Sequence, residues 1–199
     1  GGNGGFVEIL GGEGKGTSSG DTGGNVEVGG GAAYAGTGGT IIVSSGLGSV
    51  TSSGSIYFKT SNSGRFGVSG DIQIRTGTSS HGDSGFVSIV SGQSTSGKGG
   101  FVDIAVGTGD TGEGGHMSLR AGTTTDVSTG GYVSLSTGDS TKTTSGYFSA
   151  GTPNAGVAGV SGHMILRTGT ASAGSTGSIT LHTGRSTAGH GGDINITVG

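Results

Sequence analysis

The sequence predicts an all-β chain, a single parallel β-solenoid of thirteen coils with a thin, flattened cross-section. Three observations lead there. A four-residue apolar line recurs along the whole chain, a glycine precedes every copy, and copies stand 15 or 16 residues apart after a first step of 19. Recurrence at a fixed interval of this kind is the mark of stacked repeats.

The lines read FVEI, NVEV, TIIV, SIYF, DIQI, FVSI, FVDI, HMSL, YVSL, YFSA, HMIL, SITL and DINI, beginning at residues 6, 25, 40, 55, 71, 86, 101, 116, 132, 147, 163, 178 and 193. The second and fourth residues are apolar in every line, as in Val87 and Ile89 or Val102 and Ile104. Residues two apart share one face of a strand, and β-branched side chains suit a pleated surface. Four-residue strands cannot bury such a face alone, so each coil is expected to pair with copies about 4.8 Å above and below it. No 3.6-residue period exists to support a helix, and the glycines would penalise one.

The rest of each coil is small and polar. Stretches such as TSSHG, QSTSG and TASAG follow a glycine that fills the seventh position in eleven lines, Ser61 and Pro153 being the exceptions. A second strand facing the aliphatic pair would therefore offer Ser79, Ser94, Ala171 and Ser186. Glycine at the turns would let neighbouring coils approach closely.

Composition bounds the function. Of 199 residues, 52 are Gly, 28% are hydrophobic and 5% are aromatic, far below an ordinary two-layer domain. Without the periodicity, such a chain would read as a flexible linker or a disordered segment. A net charge of -3 and 11% charged residues leave no basic field for nucleic acid. No apolar run is long enough for membrane insertion, and no secretory leader is recognisable. The absence of cysteine removes disulfides and thiolate metal sites.

Motifs for chemistry are weak. A calcium-binding solenoid needs nine-residue periods with aspartate in phase, but Phe6 stands where the carboxylate belongs and Asp71, Asp103 and Asp139 share no phase. Matches to GxGxxG are inevitable at this glycine content, and no βαβ unit surrounds them. Neither Asp103 with Glu113 nor Glu8 with Glu13 recurs as an acid/base pair. His81, His116, His163, His182 and His190 occupy four different coil positions with no nucleophile signature. The sequence thus predicts no enzyme, no catalytic residue, no metal and no cofactor.

The first position of each line is more informative. From the sixth to the eleventh line it reads Phe86, Phe101, His116, Tyr132, Tyr147 and His163. In stacked coils these rings would form a ladder about 25 Å long, either stabilising the stack or presenting a contact stripe to another chain or to sugar rings. A rank of hydroxyls at Thr78, Thr108, Thr123 and Thr170 suggests an ice-binding face instead, although Gln93, Asp139 and Arg185 interrupt it.

The unit SGFVSIVSGQSTSGKGGFVDIAVG resembles the SGxVxIxTGxSxxGxxG repeat of large Gly/Ser/Thr-rich surface proteins of unicellular algae and related eukaryotes, over nearly the whole chain. The resemblance implies an extracellular or cell-surface fibre, stalk or coat component and no catalytic residue. The chain begins without Met, and both ends are ordinary repeats. That predicts one continuous array over residues 1–199, with uncapped ends, taken from a longer array or stacking end to end. The expected function is a structural, non-catalytic rod or shaft segment of an extracellular filament, stalk or cell-surface coat. The alternative is an ice-binding solenoid with a flat Ser/Thr face. Expected partners are further copies, other filament or cell-surface proteins, or glycans, and neither nucleic acid nor membrane.

Overall fold

Backbone hydrogen bonding decides the architecture. The computed structural model describes residues 3–199, and among the described residues there is no strand and no helix. This overturns the all-β prediction: the chain is not a parallel β-solenoid or a β-helix of any cross-section. Six backbone–backbone hydrogen bonds form among the described residues. Twelve more involve side chains. A folded chain of this length makes about 200. None of the six joins one apolar line to the next.

Surface area agrees. The chain exposes 20267 Å², where a compact monomer of its mass exposes about 8,300 Å² and its unfolded chain about 27,000 Å². No described residue is buried.

The physical reason lies in the far side of the repeat. A solenoid needs an apolar layer opposite the Val/Ile pair, and the sequence supplies Ser79, Ser94, Ala171 and Ser186, all of which stand exposed. Two aliphatic side chains per repeat cannot offset the conformational entropy of ordering about fifteen residues rich in glycine. Extended backbone left unpaired in this way satisfies its N–H and C=O groups with water.

Local order survives, and it follows the repeat. The chain divides into two units, Gly1–Val102 and Asp103–Gly199. In each unit, six loops leave the end of one apolar line and return to the glycine that opens the next. In the first unit the loop bases pair Gly11 with Gly24, Gly30 with Gly39, Ser45 with Gly54, Thr60 with Gly70, Thr76 with Gly85 and Ser91 with Gly100. In the second they pair Val106 with Gly115, Ala121 with Gly131, Thr137 with Gly146, Thr152 with Gly162, Thr168 with Gly177 and Thr183 with Gly192. The sixth residue of a line thus always meets the glycine ahead of the following line.

At the tightest of these bases glycine is needed for room. A methyl group added at Gly115 would stand 2.6 Å from Val106 Cγ1, and one at Gly24 would stand 2.8 Å from the Gly12 nitrogen. Five loops are closed by a backbone bond to the seventh residue: Gly24 to Gly12 at 2.7 Å, Gly39 to Gly31 at 2.8 Å, Gly54 to Gly46 at 3.0 Å, Gly131 to Gly122 at 3.0 Å and Gly146 to Gly138 at 2.9 Å, with the later glycine donating. Hydroxyls reinforce the base in three loops. Ser91 donates to the Gly100 carbonyl at 3.0 Å, Thr137 to Gly146 at 3.1 Å and Thr152 to Gly162 at 3.1 Å.

Each loop bends once near its middle, for example at 80–82, 95–97, 110–113 and 172–174. Gly82 and Gly112 take positive φ at two of these bends, 97° and 77°, where a side chain would be strained. The bend at 18–20 is fixed differently: the Ser18 amide donates to the Asp21 carboxylate at 2.9 Å and the Asp21 amide to the Ser18 carbonyl at 3.0 Å. The backbone bond closes a β-turn, and the carboxylate reaches back to the amide three residues earlier.

Candidate functional site

The aromatic series is exposed and unstacked. Phe86, Tyr132 and Tyr147 are each 88% exposed and Phe101 is 89% exposed, while His116 and His163 are exposed as well. Rings stacked one over another would each cover a face, so these exposures are incompatible with the predicted ladder. What remains is one ring at the head of each line from the sixth to the eleventh, placed immediately after the glycine at a loop base. In that position the loop base fixes the local backbone and leaves the ring free.

The other residues singled out by sequence do not converge. Glu8, Glu13, Asp103 and Glu113 are all exposed. Among the described residues, no three His, Asp or Glu side chains lie close enough together to hold a metal ion, and no cavity opens. Glu13 and Lys15 form an ion pair at 3.9 Å with both side chains about four-fifths exposed, a geometry that contributes little in water. Arg65 lies 5.2 Å from the centroid of the neighbouring Phe66 ring, a local cation–π contact at a loop bend.

The hydroxyl rank is dispersed too. Thr78, Thr108, Thr123 and Thr170 belong to four different loops, each exposed and none held in an extended ladder. A flat face of regularly spaced hydroxyls needs adjacent strands to set the spacing, and no strand is present among the described residues.

Two features escaped the sequence reading. The first is the loop base itself, whose signal was the small or hydroxylated sixth residue: Gly11, Gly30, Ser45, Thr60, Thr76, Ser91, Ala121, Thr137, Thr152, Thr168 and Thr183, with Val106 the largest. Thr60, Ala121 and Gly11 are among the few described residues that are even partly covered. The second is a difference within the apolar pair. Except in the first line, where Val7 is 90% exposed against 73% at Ile9, the second residue is the better covered, as in 44% exposed at Ile56 against 75% at Phe58 and 52% at Met117 against 73% at Leu119. The two-residue period therefore survives as a bias in coverage without producing a core.

No protein family, no curated protein and no solved structure matches this chain.

Proposed function

We propose that this chain is a non-catalytic structural segment of an extracellular coat, filament or stalk, acting as a repeat spacer that displays aromatic rings at regular intervals along the sequence. The observation that carries this reading is the recurrence of one closed loop twelve times among the described residues, each followed by an exposed apolar line. A device repeated in this way suits spacing and multivalent contact, in which many weak sites act together through a shared chain. The exposed and scattered carboxylates and histidines support the non-catalytic part of the reading.

Candidate contacts are the rings of Phe86, Phe101, Tyr132 and Tyr147, which can stack on sugar rings or on apolar groups of another coat protein. A coil with water-filled backbone favours a compliant spacer over a rigid shaft. The ice-binding alternative loses its support with the dispersal of Thr78, Thr108, Thr123 and Thr170.

Immunogold labelling of intact source cells with an antibody raised against this chain tests the location. Label on the outer surface is expected. Label that appears only after the cells are permeabilised overturns the reading.

A further inference from the structure

We infer that copies of this chain associate with one another through residues 40–58, pairing backbone to backbone along Thr40–Val43 and Ser55–Phe58. This deepens the structural reading above and rests on it only for the setting in which association is useful.

Charge singles out the region. Residues 28–58 contain no Asp, Glu, Lys, Arg, His or Pro, a run of 31 residues, and no other such run in the chain exceeds 14. Identical chains laid side by side in register bring each charge against its own copy, which is repulsive. Only in this stretch does that penalty vanish over two successive apolar lines. The lack of proline also leaves every amide able to donate.

Hydrophobic pattern singles it out again. The third residue is polar in ten of the thirteen lines and apolar only at Ile42, Tyr57 and Ile165. TIIV and SIYF therefore carry apolar side chains on both faces of an extended segment, the pattern of a segment meant to be covered on both sides. HMIL, which holds Ile165, is flanked by His163 and Arg167. The loop between TIIV and SIYF is apolar as well, with Leu47 90% and Val50 93% exposed beside Ile42 at 83% and Tyr57 at 84%.

The structure leaves these groups without partners inside the chain. The one backbone–backbone bond between 40 and 58 is the loop closure from the Gly54 amide to the Gly46 carbonyl at 3.0 Å, so the donors and acceptors of 40–45 and 55–58 face water. That closure also places the end of TIIVSS against the start of SIYF, so one copy offers both lines at a single site. Uncharged, β-branched segments with unpaired backbone are the segments that stack with their own copies at a repeat of about 4.8 Å. The area required is modest. A stable pair of chains buries about 1,200–2,000 Å², and this chain exposes 20267 Å², about 12,000 Å² above a compact monomer.

Sedimentation velocity of the purified 199-residue chain over a range of concentrations tests the inference. Three proteins are compared: the natural chain, the double variant Ile42→Lys with Tyr57→Lys, and the control Val127→Lys with Val157→Lys, which adds the same charge at exposed positions elsewhere. The natural chain and the control should associate alike, and the first variant should associate more weakly by about tenfold or more. Because none of these four side chains is buried, loss of a fold does not explain a change. Hydrogen exchange of the assembled chain should show protection at 40–45 and 55–58 and none at 86–91. A natural chain that stays monomeric, equal weakening in both variants, or protection confined to other segments overturns the inference. Surface labelling of cells addresses the coat reading separately, since a chain found only inside cells could still self-associate in this assay.

Discussion

The Gly131 amide donates to the Gly122 carbonyl at 3.0 Å, and the same glycine lies so close to Ala121 that a methyl group on it would stand 3.4 Å from the Ala121 Cβ. One residue thus closes a loop with its backbone and makes room for the closure with its missing side chain. The backbone closure recurs in four other loops among the described residues, with the tightness of the contact varied, and it yields predictions that separate the two contributions.

Gly131→Ala should open its loop. The added methyl would lie 3.2 Å from the Gly122 nitrogen and 3.3 Å from its oxygen, so the backbone that makes the closing bond must give by a few tenths of an ångström. The cost is one hydrogen bond, about 0.5–1.5 kcal/mol. Gly85→Ala is the comparison, since its methyl would meet only Thr76 Cγ2, at an ordinary 3.5 Å. Amide exchange at residue 131 should rise several-fold in the first variant, while the second leaves amide exchange in the rest of its loop unchanged. Equal effects at both positions would place the closure somewhere other than the backbone bond.

Hydroxyl deletions should differ according to what else holds the loop. Thr137→Val leaves the bond from the Gly146 amide to the Gly138 carbonyl in place, so that loop stays closed. Thr152→Val removes the one hydrogen bond observed at the base of its loop, from Thr152 Oγ1 to the Gly162 carbonyl. The nuclear Overhauser contact between the side chain at 152 and Gly162 should therefore disappear, and the contact between 137 and Gly146 should persist.

Heating should produce no cooperative transition at low concentration, because no described side chain is buried. Ile104→Asp, which would be severe in a packed core, should change stability by less than about 0.5 kcal/mol at this two-thirds exposed site. Circular dichroism is the measurement. A sigmoidal melt that the substitution shifts downward would reveal a core around Ile104.

Tyrosine fluorescence should be quenched by acrylamide almost as efficiently as that of free tyrosine, given the exposure of Tyr34, Tyr57, Tyr132 and Tyr147. Adding soluble glycans should reduce quenching if the rings stack on sugars. Replacing Phe86, Phe101, Tyr132 and Tyr147 by Ala should then abolish retention of the chain on a glycan-coated surface. Retention unaffected by the quadruple replacement would remove the rings from that role.

Ice growth offers a further check. With the four threonines in separate loops, thermal hysteresis should be absent at sub-millimolar concentration. Faceted crystals would require an ordered hydroxyl face.

The sequence by itself determined where the repeats begin and end. The glycine before each line and the sixth residue of the line, small or hydroxylated except at Val106, mark the two sides of the loop bases, and the bends fall in the stretches between them. These features are legible because closing a loop is a local event between residues about ten apart, governed by turn chemistry and by the space a missing side chain leaves. The alternation of Val87 with Ile89, or Val102 with Ile104, marks a face in the same way, but a face becomes a fold only when something apolar covers it. Whether it is covered depends on groups far along the chain, and there the polar stretches around Ser79, Ser94, Ala171 and Ser186 present nothing to pack against. The low apolar content therefore outweighed the periodicity. Only the tertiary structure decided that the lines remain separate, with their backbones hydrated and their aromatic rings unstacked, because pairing them within one chain would order many glycines for the burial of few methyl groups.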